Sequence, residues 1–545
     1  MTLRKLLLAA LVLGCLNAPA AQAAPDQVSI IMDDDQLLYR GDRTSTRTLT
    51  TARSLGADVV RATVLWRVVG EGADLSMKEI RRIKSKTLRR KALKQRRRFD
   101  ADNHRTYPTR NWDRYDNLVK EATKLGMRVY FNVTGPGPSY AHKTAPKSQR
   151  SNAHTYKPYA TRFGDFVEAV GKRYNGGTSD ENGERQKLPR VSTWSIWNEP
   201  NQAGWLSPQW EKIDGQVVPS APAQFRRLFY AGRQGLVDSG HADDAILLGE
   251  TAPSGGTGRG ARNSIRPVPF LRELLCLDSK GVTYTGKDAE RRKCDEFSRY
   301  GSLKATSFAH HPYTKKAAPT QPPRSPDDIS MGNIGQLGGI LDTLSAQSGG
   351  KIAPGLRILL TEFGYETKPD PRNGISFERQ AEFTQLAEFL AYNQPRIAAM
   401  TQFLISDARP LKQFKKGSRN YWFTYQSGLF TAGGRAKPAA FAYAFPLVIY
   451  PAGAGATGIW GQQRFRPNGP VEAASIFWHP TVDKKQTKCG DPKFGWVQQG
   501  PPVATSVRGF FITTIPTPGA GGEFCAAFLD AKTATVTHQS LSVKP

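Results

Sequence analysis

Two segments of this 545-residue chain place a single glutamate at the end of an apolar, β-type run: Val191-Ser-Thr-Trp-Ser-Ile-Trp-Asn-Glu-Pro-Asn201 and Arg357-Ile-Leu-Leu-Thr-Glu-Phe-Gly-Tyr365. A buried strand close-packs its own length and leaves the residue just past its end facing the mouth of the sheet, where barrel enzymes assemble their sites. Glu199 and Glu362 are therefore candidate catalytic partners. Glycoside hydrolysis uses such a pair: one carboxyl protonates the leaving oxygen while the other meets the developing oxocarbenium ion from the opposite side. Either glutamate alone reads equally well as a helix cap or a surface charge, because acids are common in a helix's first turn. The reading is carried by the two together.

The elements that must position them alternate between strand-like and helix-like, the pattern of α/β units around a parallel sheet. Eight strands are predicted, over Val28 to Met32, Val59 to Trp66, Arg128 to Val133, Val191 to Trp197, Ala245 to Gly249, Ala305 to Ala309, Arg357 to Thr361 and Met400 to Ile405. Helices are predicted between them, among them Trp112 to Leu125, Tyr159 to Tyr174 and Phe377 to Tyr392, where apolar residues recur at helical spacing. This points to one (β/α)8 TIM barrel over residues 25–450, with the glutamates on its fourth and seventh strands. The connection from Trp66 to Asn111 far exceeds an ordinary βα loop and reads as an insertion, roughly residues 70–110, on the face that carries the site. Beyond it, residues 455–545 turn rich in Gly and Pro with short β pieces, and a small β-sandwich-like domain is expected there.

Residues 1–24 read as a signal peptide: Arg4 and Lys5, an apolar core from Leu6 to Leu16, then an Ala-x-Ala site before Ala24. Cys15, in Val-Leu-Gly-Cys, loosely matches a lipoprotein box, but the better cleavage site lies downstream. No other apolar run is long enough to span a bilayer. Export would leave four cysteines, and an oxidising compartment favours pairing them. Cys276 with Cys294 and Cys489 with Cys525 are the economical bridges, each closing a local loop; free buried thiols are the other reading.

The formal charge is +29, and +27 once Arg4 and Lys5 leave with the leader. Much of it is concentrated between Lys78 and Arg98, a run with one acid. The plain reading is a solvated loop or helix. The sharper one is docking to an acidic polysaccharide, an anionic wall polymer or an anionic membrane surface. Steep salt dependence would also fit a nucleic-acid binder, but export and the absence of a recognisable nucleic-acid module weigh against it.

The Asn198-Glu199-Pro200 context resembles the clan A retaining glycoside hydrolases, and the strand and loop similarity is nearest to families five and thirty-nine, in exported bacterial members. The resemblance spans roughly Gln27 to Phe445 and is dense at the strand ends. It implies Glu199 as acid/base and Glu362 as nucleophile. It further implies that Arg61 on strand 2 supports the nucleophile, that Asn198 binds the sugar's 2-hydroxyl, and that His311 and Tyr313 form the His-x-Tyr after strand 6, with the phenol touching the nucleophile. His310 competes with His311 for the histidine role, and no cysteine or HExxH pattern accompanies the two to suggest a metal. No cofactor is expected. Sugar C–H faces stack on aromatic rings, which makes Trp66, Trp205 and Trp422 candidate subsites, with core packing as the other reading of each. Strand 8 departs from the pattern: it lacks the tryptophan many members place there, so the sugar stays open. A non-catalytic glycan-binding protein on a barrel scaffold is the competing function, and it has no need of the acid/base pair.

Overall fold

The computed structural model describes residues 24–545 apart from 184–185, 417, 419, 465–472, 481–487, 520, 531–532 and 534. The predicted leader up to residue 23, with Cys15, lies outside the described residues. The eight strands are β1 (Val28–Met32), β2 (Val59–Leu65), β3 (Arg128–Thr134), β4 (Thr193–Ile196), β5 (Ala245–Thr251), β6 (Ser307–His310), β7 (Arg357–Phe363) and β8 (Ile397–Phe403). They pair in sequence order and close, with β8 parallel to β1, so the chain is a (β/α)8 TIM barrel. The helices that follow the strands are α1 (Asp42–Ser54), α2 (Asp113–Lys124), α3 (Ala160–Arg173), α4 (Ala221–Asp238), α5 (Pro267–Leu274), α6 (Gln336–Gln347), α7 (Phe377–Tyr392) and α8 (Pro438–Ala444). Among the described residues no helix is long and apolar enough to cross a membrane.

Side chains alternate across a strand, and here the two faces meet different layers. Ile30, Val59, Tyr130, Leu247, Ala309 and Ala399 fill the barrel interior. Their neighbours Val60, Ala62, Phe131, Trp194, Ile246 and Phe308 pack outward under the helices. The inward parity carries on from Val59 to Arg61 and from Tyr130 to Asn132, which sets polar groups above the apolar floor. Strand 8 starts three residues earlier than expected, at Ile397: Ala399 pairs with Val28 of β1, and the barrel interior there needs a small side chain.

Two segments interrupt the pattern. The insertion after β2 folds into the helices Met77–Arg82 and Lys86–Arg98; the first opens with a capping box of Ser76 and Glu79, and the second buries no residue. After α8, Leu447–Pro451, Ala456–Gln462 and Phe510–Pro516 form one antiparallel sheet, and Ala473–His479 with Glu523–Leu529 centre a second. Leu447, Ile459 and Phe511 of the first sheet pack on Ile476, Phe524 and Ala526 of the second, which makes a two-layer β unit. It rests on the C-terminal half of α7, where Phe389 and Tyr392 meet Trp460 and Phe510 and Glu388 pairs with Arg464 at 2.7 Å. Disulfides join Cys276 to Cys294 and Cys489 to Cys525.

Candidate active site

Glu199 and Glu362 line one cavity of about 610 Å³ at the C-terminal ends of the strands, together with Asn198, Trp205, Tyr313, Phe403 and Tyr425. They arrive there by different routes. Glu199 lies three residues past the end of β4, and the backbone turns at Trp197 (φ 70°), whose ring packs outward on Phe163, and again at Glu199 (φ 37°), left-handed values that L residues adopt only when held. Asn201 does the holding: its amide donates to Ala252 O and Ile265 O and accepts from Ala252 N, tying this loop to the one after β5. Glu362, by contrast, would face the helices under strict alternation from Leu360. A register break against β8, where Met400 pairs with Leu360 but Gln402 with Phe363, turns it inward.

Arg61, wholly buried, lies at the centre. Its Nη1 is 3.3 Å from Glu362 Oε1, and its Nη2 donates to Asn198 Oδ1 at 3.2 Å. Asn198 thereby has its amide NH2 left to offer a ligand. His311 Nδ1 bonds Glu199 Oε1 at 2.9 Å and lies 3.7 Å from Glu362 Oε2, while Tyr313 OH donates to Glu362 Oε2 at 3.2 Å. His310 faces the other way, bonded to Thr251 Oγ1 and Ile329 O, so strand parity decides between the two histidines.

The two other tryptophans are not brought to the cavity. Trp66 is fully buried, stacked 5.6 Å from Phe166 and near Phe163 and Tyr140; the helix that starts at this residue carries it into the core beneath α3. Trp422 packs edge-on against Tyr421, outside the cavity lining. In its place the same loop sends in Tyr425, whose ring stands edge-on to Phe403 at 5.2 Å, opposite the half-buried Trp205. Lys437, just before α8, anchors that loop through Asp407 at 2.6 Å and Gln426 O at 3.1 Å. In place of the tryptophan that strand 8 lacks, aromatic surface is supplied by Phe403 at the strand's own end and by Tyr425 from the loop after it.

Sequence reasoning missed a third glutamate. Glu250, at the end of Ala245-Ile-Leu-Leu-Gly-Glu250, is fully buried and accepts from Arg61 Nη2 at 2.5 Å, from Ser195 Oγ at 2.6 Å and from Tyr130 OH. The signal was there, since this is a third apolar run ending on glutamate. Alternation assigns Glu250 to the helix side, however; a register break between Gly249 and Thr251, with φ 52° at Glu250, reverses it.

Burial would raise the Glu250 carboxyl, yet Arg61 and His311 hold it down at about 2. Burial pulls His311 down, but Glu362, Glu199 and Glu250 outweigh it and hold the imidazole up at about 10. For Glu362 burial prevails, aided by Glu199 and Glu250 against His311 and Arg61, and its carboxyl is raised above 4.5. Burial and the nearby Glu362 push the Tyr313 phenol well above its ordinary value, which keeps it a donor. Glu199, His311 and Glu362 present ligand-type atoms within 4.8 Å of one another. An imidazole held protonated donates from both ring nitrogens, and here Nδ1 is bonded to Glu199.

No protein-family model matches the chain, and no curated protein matches its sequence. Among solved structures, the GH39 enzyme from Xanthomonas axonopodis pv. citri aligns with a TM-score of 0.46 at 14% identity, over 91% of this chain and 94% of its own. The monomeric beta-xylosidase from Caulobacter crescentus CB15 aligns at 0.44 and 14% identity, over 91% and 95%. The family 39 glycoside hydrolase from Bacteroides cellulosilyticus WH2 aligns at 0.45 and 12% identity, over 91% and 82%. Likeness at this level says nothing about activity, and the functional reading rests on the site's geometry.

Proposed function

We propose that the chain is a secreted retaining O-glycoside hydrolase of a polysaccharide or cell-wall glycan, with Glu362 as nucleophile and Glu199 as acid/base. The observation that carries this reading is that Glu199 and Glu362 each bring one carboxyl oxygen within 4.8 Å of the other in one cavity. Retaining pairs stand about 5–5.5 Å apart, so the carboxylate reaches the anomeric carbon itself; inverting pairs leave roughly 6.5–9.5 Å for a water. Secretion is supported by the two disulfides, which an oxidising compartment preserves.

In the first step a Glu362 oxygen bonds to the anomeric carbon as the glycosidic C–O bond breaks, and the leaving oxygen takes its proton from Glu199. In the second, Glu199 removes a proton from water, the hydroxyl oxygen bonds to the same carbon, and the Glu362 ester is released. Arg61 and the Tyr313 hydroxyl hold the attacking carboxylate from the sides that the sugar does not occupy. The Asn198 amide faces the sugar hydroxyls, and Trp205, Phe403 and Tyr425 offer aromatic surface to its C–H faces. Attack requires ionised Glu362, and burial, which raises its carboxyl, works against that form as the pH falls.

The insertion adds docking of an anionic polymer to the reading. Its second helix, Lys86–Arg98, carries no acid and buries no side chain, so its cations stand toward solvent on the connection leaving the site end of β2. The test of the whole is sugar release from a panel of neutral and acidic polysaccharides, including wall glycans, beside Glu362→Gln. Release by the wild type alone is expected; glycan binding without turnover by the wild type would leave a binding protein on a barrel.

A further inference from the structure

We propose that Glu250 is a positioning residue that orients Arg61 and fixes the charge of His311, so that Glu199 and Glu362 share a single proton and the enzyme keeps its working form up to alkaline pH. The inference rests on the retaining-hydrolase reading and assigns to that site a component outside the cavity. Glu250 does not line the cavity and cannot meet a substrate: its oxygens are taken by Arg61, Ser195 and Tyr130, and His311 Nε2 lies 3.6 Å away.

Charge counting supports the role. Arg61 and His311 supply two positive charges, and Glu250 returns one negative. The remaining positive charge faces Glu199 and Glu362, and the cluster is neutral when that pair holds one proton. This is the state a retaining cycle starts from, with one carboxylate to attack and one acid to donate. The other groups around Glu250 do not change the count. Tyr130 on β3 and Tyr313 beyond β6 stay neutral, both phenols being held well above their ordinary value. Asp34, after β1, is half-buried on the cavity wall, and desolvation raises its carboxyl toward the neutral form against Thr63 and Arg61. The backbone joins the two glutamates directly as well: Glu199 N donates to Glu250 O at 3.0 Å.

Glu250→Gln removes the charge and keeps the shape. The new amide oxygen can still accept from Arg61, and its NH2 can donate to Ser195 Oγ and Tyr130 OH, which both accept as well as donate. The cluster then carries an extra positive charge, and His311 and the glutamate pair release their protons at lower pH. At an effective dielectric near 20 and a separation of about 4 Å, the shift is about 3 pH units.

The test is a pH titration of the full chain labelled with 15N-histidine, with the His311 signal assigned by its loss in His311→Asn. The expected result is a wild-type His311 that stays doubly protonated to about 10 and a Glu250→Gln His311 that titrates at least one unit lower. Glu250→Asp, which keeps the charge but withdraws it by one methylene, should shift His311 the same way by less, and it serves if the amide variant does not fold. An unchanged His311 titration in either folded variant overturns the proposal. On the glycan that the panel identifies, the alkaline limb of kcat/KM should move down with His311; a lower kcat/KM with an unmoved limb would overturn it in favour of a purely structural role. A shifted His311 in a protein that releases no sugar would uphold the charge role and sink the hydrolase reading, so the two failures are distinguishable.

Discussion

The barrel mouth and the helix Lys86–Arg98 both concentrate charge, and they do it in opposite ways. At the mouth, Arg61, His311, Glu250, Glu199 and Glu362 come from five strands and neutralise one another at 2.5–3.7 Å. On the helix, eight Lys and Arg side chains follow one another with no acid between them, and the ion pair to Asp74 spans 4.0 Å. A buried charge cannot be changed without altering the protonation of its neighbours, whereas an exposed charge adds to a field that salt screens. The number of charges therefore says little; whether water can answer each of them decides its role.

The largest effect that this contrast implies is in turnover. Glu362→Gln should lower kcat by at least ~10⁴-fold, since a nucleophile that acts as part of a unit cannot be replaced by the rest, while glycan binding measured by calorimetry survives. Next comes stability. Arg61→Met leaves Glu250 buried without its cation and should cost about 3–5 kcal/mol in urea unfolding; a loss near zero would mean that water reaches the cluster. Acidity gives a smaller effect. A group whose folded pKa is raised lends stability that is complete below its unfolded value and fades as pH climbs through the folded one. For His311 that window runs from 6.5 to about 10, so the melting temperature should fall across it in the wild type and less so in His311→Asn. The smallest effect belongs to the helix. Changing Arg90, Lys91, Arg97 and Arg98 to Gln should move stability by no more than ~0.5 kcal/mol each, while the salt dependence of binding to an anionic polysaccharide becomes shallower.

Strand alternation explains which parts of this arrangement the sequence discloses. Val59, Arg61 and Thr63 keep regular parity, and so do Ala309 and His311; a reader who counts residues places Arg61 inside and chooses His311 over His310. The closed barrel, the helix Phe377–Tyr392 and both disulfides were legible for similar reasons, from periodicity and from the economy of local loops. The bulges were not legible. Glu362 and Glu250 reach the interior by register breaks that depend on pairing with a neighbouring strand, and no local pattern encodes such a break. Glu362 stands out as the glutamate closing an apolar run, paired with the Asn-Glu-Pro context of Glu199, whereas Glu250 closes a similar run with no partner motif beside it. Trp66 fails in the opposite sense: its type suits a sugar subsite, but one turn of helix buries it. In Asn420-Tyr-Trp-Phe-Thr-Tyr425 the choice among aromatics depends on how Lys437 anchors the loop, an interaction between distant parts of the chain.

The seat of the C-terminal β unit limits what that unit can do. Arg508 reaches Asp58, the residue just before β2, at 3.0 Å, and Asp58 in turn accepts from Ser29 N at the start of β1. The contact is thus with the strands' entry ends, whereas the glutamates stand at their exits. The seven residues of β2 separate the two by roughly 20 Å of strand. A polymer gripped by the β unit would have to wrap the flank of the barrel before any of its linkages met Glu362. The β unit thus meets the barrel at its floor, and none of its described residues lines the cavity at the mouth.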